Sequence, residues 1–363
     1  MKHIQKNAKL PCNSLILDKY FNENCIFFDI ETTGFSPSSS MCYLIGTLGK
    51  DDNGVIVDQY LACDKNDEKD IILSFLNTIK NKSTIITFNG MGFDLPFIQA
   101  KCKSYGISFD FWKYQYIDIF KLVSEMKFLL KLQNYKQKTI EHFLGIQRDD
   151  LYSGGELISI YEEYILSQSK ELEALLLLHN YEDVVGMLDI LPILTYREIL
   201  KGAYTLENAI CQSYMSYEGE TEKELIITLK NHYSVPCRVS HQFGDFYITM
   251  MDNHTKIRVT VYDGTLRYFF PNYKDYFYLP IEDMAIHKSV ATYVDNKFRQ
   301  KAKANNCYTK KSALFLPQLE EINSPAFRRE YKDKLSFFEY TEEFLESDEM
   351  VLNYIDHILK KIQ

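Results

Sequence analysis

The sequence predicts two domains: an α/β domain on a mixed sheet over residues 1–202, a linker over 203–222, and a smaller α+β domain with antiparallel strands over 223–363. A chain of 363 residues is long enough to bury two separate cores. Its first half alternates short apolar runs with segments of helical spacing, the layout of helices flanking a sheet. Beyond Gly202 the pattern changes to period-two alternation between polar turns, as in half-buried antiparallel strands.

The elements follow in order. "CIFFDIETTG", "MCYLIGTLG" and "GVIVDQYLAC" read as three consecutive strands, rich in Ile, Val, Phe and Tyr and separated by turn-forming residues. "DEKDIILSFLNTIKN" has helical apolar spacing with acids in its first turn. "STIITFNG" is a further strand, and "DLPFIQAKCKSYG" a short helix ending at Gly106. After "IDIFKLVSEMKFLL", "TIEHFLG" and a loop at "LYSGGE", helices run from about Leu157 to Leu200. In the second half "KELIITLKN", "DFYITMMD", "KIRVTVYDG" and "LRYFFPNY" read as strands. "IEDMAIHKSVATYVDNKFRQKAKAN" then reads as a helix, and "DEMVLNYIDHILKKI" as a closing amphipathic one.

Composition narrows the setting. The eight cysteines stand singly without a CxxC or Cys/His zinc spacing, and no secretory leader precedes them, so a reducing, cytoplasmic location is expected. No stretch is apolar enough over the ~20 residues needed to span a bilayer, so no membrane partner is expected. A net charge of −9 argues against a passive, charge-driven nucleic-acid binder, but not against a nuclease whose active site is itself acidic.

The chemistry concentrates in three acidic motifs. Asp29 and Glu31 lie two apart on a strand and therefore project from the same face. A lone D-x-E at a strand end is most often a solvated pair. Here Ile26, Phe27 and Phe28 imply a strand buried on both faces, where two carboxylates repel and lose hydration unless a cation compensates them. "TFNGMGFDLPFI" then places Asp94 after a strand and a Gly-rich turn, where an acid also serves as a helix cap. "HNYEDVV" sets His179 and Asp183 four apart, on one helical face, a spacing that by itself suits an ordinary ion pair.

In that order, D-x-E, Asp and H-x-x-x-D resemble the DEDD (DnaQ-like) 3′–5′ exonuclease superfamily with its ribonuclease-H-like fold, and within it the YprB-like branch. The resemblance covers roughly residues 20–200 and extends to "YIDIFKLV", "QKTIEHFLGIQRDD" and "SGGE". It implies a nuclease using two Mg²⁺ or Mn²⁺ ions, with Asp29, Glu31, Asp94 and Asp183 as metal ligands. Asp29 would bridge both ions, Glu31 and Asp183 would complete one, and Asp94 would support the other. His179 would take the proton from the attacking water. One departure is that the family's histidine form usually places its base five residues before the last Asp, whereas four is the spacing of its tyrosine form. Tyr181, two before Asp183, would point to another side of the helix.

The resemblance also makes Thr32, Thr33 and Gly34 candidates for the terminal nucleotide, although a Thr-Thr-Gly turn equally well just reverses the chain. Asn89 and Phe93 are candidates for sugar or base contact, with a core role the simpler reading for Phe93. In the second domain, residues 287–311 carry seven Lys or Arg against one acid, and Lys288, Lys297, Arg299, Lys301 and Lys303 are candidate nucleic-acid contacts or simply a solvated face. The expected function is a metal-dependent 3′–5′ exonuclease on nucleic-acid ends that are single-stranded or unpaired. The alternatives are a binding module on a nuclease fold and a ribonuclease-H-like endonuclease.

Overall fold

A computed structural model describes residues 1–10, 15–51, 54–150, 152–216 and 219–362. Contacts divide the chain into one unit of residues 1–198 with 233–237, and another of 199–232 with 238–363.

The first unit opens with β1 (Lys2–Ala8) and α1 (Leu15–Tyr20), then β2 (Cys25–Thr32), β3 (Cys42–Asp51), β4 (Gly54–Leu61), α2 (Glu68–Ile79), β5 (Thr84–Thr87) and α3 (Asp94–Ser104). It continues with β6 (Gln115–Asp118), α4 (Ile119–Ser124), α5 (Lys127–Leu130), α6 (Gln137–Phe143), α7 (Gly154–Ser167) and α8 (Lys170–Asp189); α9 (Leu194–Leu200) runs into the second unit. The six strands form one mixed sheet, in the order β1-β4-β3-β2-β5-β6. Pairing is antiparallel from β1 to β2 and parallel from β2 to β6.

This places β2 in mid-sheet, as its unbroken apolar run predicts. Ile26, Phe28 and Ile30 turn toward α2, where Phe28 meets Phe75 at 4.9 Å between ring centres. The alternate residues turn toward α8, which packs on β2, β3 and β4. Strand β1 was not expected. "KHIQKNA" is too polar to read as a core strand, and it survives as a sheet edge, where charged side chains are suited to solvent. Leu151, part of the expected 151–156 loop, lies outside the described residues; Ser153 and Glu156 form a reciprocal cap that starts α7.

The second unit holds β7 (Tyr204–Met215), β8 (Thr221–Asn231), β9 (Val239–Phe243), β10 (Phe246–Met251), β11 (His254–Phe269), β12 (Tyr276–Leu279) and β13 (Met284–His287). Then follow α10 (Lys288–Ala291), β14 (Gln300–Lys301), β15 (Tyr308–Gln318), β16 (Ser336–Glu339), α11 (Glu342–Glu346) and the closing α12 (Asp348–Lys360). It is an antiparallel architecture of a seven-stranded sheet and a three-stranded one, β13-β12-β14.

Three expectations are corrected here. Residues 203–222, expected as a linker, contain the strand β7, which pairs along β8; its mostly exposed, polar residues hid it. The two strands expected at 256–264 and 266–273 are one, β11, because its first half pairs with β8 and β10 and its second half with β15. The helix expected over 281–305 does not form. His287 and Asp295 each bond a backbone amide two residues on, so the chain makes only single turns between the short strands β13 and β14.

Candidate active site

Strand β2 presents Asp29 and Glu31 on its α8 face, and the pairing with β3 shifts register immediately after Glu31. Asp94 is the first residue of α3 rather than its cap, and its carboxylate accepts the Ile30 amide at 3.1 Å. The preceding turn is tightly held. Asn89 takes a left-handed backbone (φ 61°) with its amide on Asp118 at 2.9 Å, and a Cβ at Gly90 would lie 2.7 Å from Thr87. Asp118, at the end of β6, is buried and leaves one carboxylate oxygen without a partner.

Helix α8 supplies the opposite wall. His179 Nε2 lies 3.1 Å from Asp183 Oδ2 and 3.4 Å from Glu31 Oε1. The ligand atoms of Glu31, His179 and Asp183 all fall within 4.8 Å of one another. Between them in sequence, Asn180 donates to Asp29 at 3.4 Å and is itself held by Gln59 at 3.0 Å. Asn180 fits because β3 carries Gly46 opposite Asp29; a Cβ there would sit 2.2 Å from the Asn180 Oδ1. Tyr181 turns away from this cluster toward Lys6, whose ammonium is 5.3 Å from its ring centre.

The electrostatics are those of charge awaiting a counter-charge. Burial, then the neighbouring Asp94, Asp183 and Glu31, raise the Asp29 carboxyl well above its usual range. Burial likewise takes Glu31 to about 8 and Asp94 to about 6. Burial pulls His179 down, but its bond to Asp183 and the charges of Asp183, Glu31 and Asp150 outweigh it and hold the imidazole at about 9. Asp183 goes the other way: burial pushes it up, but His179 and Arg148 bring it below the ordinary value. Oxygen donors of this kind, buried or half-buried side by side and short of cations, suit Mg²⁺ or Mn²⁺.

A stability profile follows. A carboxylate raised on folding binds its proton more tightly folded than unfolded, so its contribution falls as pH rises from the unfolded to the folded value. For Glu31 and Asp94 that interval runs from 4.5 to about 8 and from 3.8 to about 6. The raised His179 has the same sign: its stabilisation is complete below 6.5 and lost as pH rises through about 9. Melting in EDTA should therefore fall steadily across this range, and Mg²⁺ should recover more of it at the alkaline end. A flat profile, or equal recovery at every pH, would contradict this electrostatic picture.

Sequence reasoning missed the segment that organises α8. Residues 148–150 clasp three residues of the helix: Arg148 bonds Asp183, the amides of Asp149 and Asp150 bond Glu182 at 2.9 Å each, and Asp150 bonds His179 Nδ1 at 2.7 Å. Helix α6 backs the clasp, since Arg148 also bonds Glu141 at 2.5 and 2.6 Å and Lys138 bonds Asp150 at 3.1 Å. The quoted "QRDD" held the signal, an Arg and two acids just outside a helix, but not the identity of its partners.

The remaining candidates separate. The Thr32 hydroxyl donates to Gly34 O at 2.9 Å, and that of Thr33 accepts from the Met41 amide at 2.9 Å, so both serve the chain reversal. Phe93 is half-buried between Phe97 and Phe35, with ring centres at 5.7 and 6.0 Å. Phe35, not anticipated, is 91% exposed beside it. Lys288, Lys297, Arg299, Lys301 and Lys303 all belong to the second unit.

The family-model match falls within the first unit. Residues 26–195 match a family model described as RNase_H superfamily, and the domain has an RNase-H-like fold. No curated protein matches. Similar solved structures include the family B DNA polymerase of the archaeon Pyrobaculum calidifontis, at 14% identity and TM-score 0.38, covering 69% of this chain and 35% of that one. They also include E. coli exonuclease I with a dT13 oligonucleotide, at 11% identity and TM-score 0.29, covering 57% of this chain and 55% of that one. The chain thus spans about a third of the polymerase and about half of the exonuclease.

Proposed function

We propose that this RNase-H-like domain is a metal-dependent nuclease that removes nucleotides from nucleic-acid 3′ ends. The observation that carries the reading is the convergence of buried Glu31 and Asp94 and half-buried Asp29 and Asp183, with His179 set between Glu31 and Asp183. Asp29, Glu31, Asp94 and Asp183 would hold two divalent cations. When bound, these supply the positive charge that acidifies water and steadies the leaving oxygen.

The chain's own groups do the rest. Asp150 at Nδ1 fixes which imidazole nitrogen faces the carboxylates. The charges of Asp183 and Glu31 that keep Nε2 protonated in the ion-free protein would be neutralised once those acids hold cations, leaving Nε2 free to receive a proton from the attacking water. The water oxygen bonds to phosphorus, the bond to the leaving 3′ oxygen breaks, and a nucleoside 5′-monophosphate departs. Arg148 and Asp150 act through Asp183 and His179 and are positioning residues. Phe35, four residues beyond Glu31, and Phe93, directly before Asp94, form an aromatic pair suited to meet an unpaired terminal base.

The test uses DNA and RNA, single- and double-stranded, labelled at either end, with Mg²⁺ or Mn²⁺. Stepwise loss from the 3′ end that stops with EDTA is expected. Cutting of closed circles would instead make the domain an endonuclease, and binding without turnover under every condition would make it a binding module. A nucleic-acid substrate fits a reducing, cytoplasmic setting for the chain; the described cysteines are all free thiols, and no described helix is long and apolar enough to cross a membrane.

A further inference from the structure

The basic stretch at 287–311 does not act as a uniform charged face. Lys288 pairs with Asp275, Lys310 with Asp283, and Lys311 with Glu339 at 2.5 Å. Lys297 lies 3.6 Å from Asp295, and the Arg299 guanidinium is folded back onto Ala291 O, Asn296 and the Phe277 ring. Of the seven basic residues, Lys301 and Lys303 alone make no ion pair or hydrogen bond through their side chains among the described residues.

Lys303 leads into a cavity of about 460 Å³ lined by Phe269, Phe270, Tyr273, Ala304, Arg328 and Tyr331, with Pro271 and Asp333 at its margin. The walls are fixed. Phe269 meets Tyr331 edge-on at 5.3 Å, and Arg328 is held by Glu321 and by Asp333 O at 3.2 Å. The Asp333 carboxylate is occupied by the Glu330 amide at 2.8 Å. Tyr273 and Tyr331 remain 37% and 43% exposed, and neither hydroxyl has a partner among the described residues. Each of three lining segments also carries an exposed lysine without an ion pair among the described residues: Lys274 follows Tyr273, Lys303 precedes Ala304, and Lys332 follows Tyr331.

Exposed aromatic side chains lining a cavity, with an unpaired lysine next in sequence to three of its lining residues, form a pattern that suits one class of ligand. A flat ring enters and its anionic linkage stays outside on the lysines. In a chain of net charge −9, lysines left without ion pairs on the segments that line an aromatic cavity favour a polyanion that carries rings over an apolar peptide. We infer that this cavity in the second unit binds an unpaired base of a single-stranded nucleic acid, with Tyr273 and Tyr331 stacking on the base and Lys274, Lys303 and Lys332 meeting its phosphates. A base paired within a duplex has no free face to offer. The substrate class rests on the nuclease reading above; the cavity does not.

The experiment uses the full chain carrying Asp29→Asn, in EDTA, with fluorescent oligothymidylate, an abasic strand of the same length and a duplex. Tyr273→Ala with Tyr331→Ala should weaken oligothymidylate binding about tenfold or more and leave the abasic strand unchanged. Lys274→Ala, Lys303→Ala and Lys332→Ala together should lower the salt dependence of binding. Unchanged oligothymidylate affinity in the tyrosine variant would overturn the inference, as would an equal loss on the abasic strand, a preference for duplex or no binding by the parent. Separately, the Tyr273→Ala/Tyr331→Ala chain with Asp29 intact should hydrolyse a trinucleotide at the parental rate. If neither hydrolyses it but the tyrosine effect persists, the nuclease reading fails and the base site stands.

Discussion

Replacing Asp29 with asparagine should reduce hydrolysis by on the order of a thousandfold, because cation stabilisation is worth several kcal/mol and each ~1.4 kcal/mol is a factor of ten. The variant should fold at least as well as the parent. Asp29 is a carboxylate whose charged form is penalised by burial and by the acids facing it, so a neutral isostere removes repulsion from the ion-free protein. Asn180, the side-chain hydrogen-bond donor to its carboxylate among the described residues, can still donate to the amide oxygen that remains. Melting in EDTA should therefore rise, while the gain from Mg²⁺ shrinks. Activity lost together with stability would mean that Asp29 is a structural acid. Activity retained would remove it from the chemistry altogether.

His179→Gln is the second large effect. General-base loss costs roughly 10²- to 10⁴-fold, here in turnover more than in substrate affinity. Glutamine keeps a polar group between Asp150 and Asp183 but cannot accept the water's proton at neutral pH. Cation binding, read by the paramagnetic signal of Mn²⁺, should persist, since the oxygen donors are intact. Asp150→Asn should fall between parent and His179→Gln, because the imidazole remains but its Nδ1 partner at 2.7 Å is neutral. If His179→Gln hydrolyses at the parental rate, another group takes the proton. Tyr181 would not be that group, given its orientation toward Lys6.

What could be read in advance divides along a physical line. The strands β2 to β5 and the placement of Asp29 and Glu31 were legible, since period-two geometry and an apolar run fix them locally. The shared face of His179 and Asp183 was legible for the same reason, from helical spacing. Arg148 and Asp150 were not, because their partners lie 35 and 29 residues away, and nothing local distinguishes a clasping Arg from a solvated one. Asn180 and Gln59 looked like ordinary polar residues; only the packing of α8 on the sheet makes them a buried chain to Asp29. The second unit was hardest. Its basic stretch looked helical by composition, and the strands β12 to β14 are too short to announce themselves.

Gly46 carries no functional group, yet the separation between sheet and helix is set there. Any side chain would strike Asn180 at 2.2 Å and Val184 at 2.8 Å, and so push away the helical turn that bears both His179 and Asp183. On the nuclease reading proposed above, the lineage of such a protein would therefore fall silent through one change at a residue that no comparison of active-site signatures inspects. A descendant with every acid and the histidine in place, but with a bulkier residue here, would be counted among the living enzymes and belong among the relics.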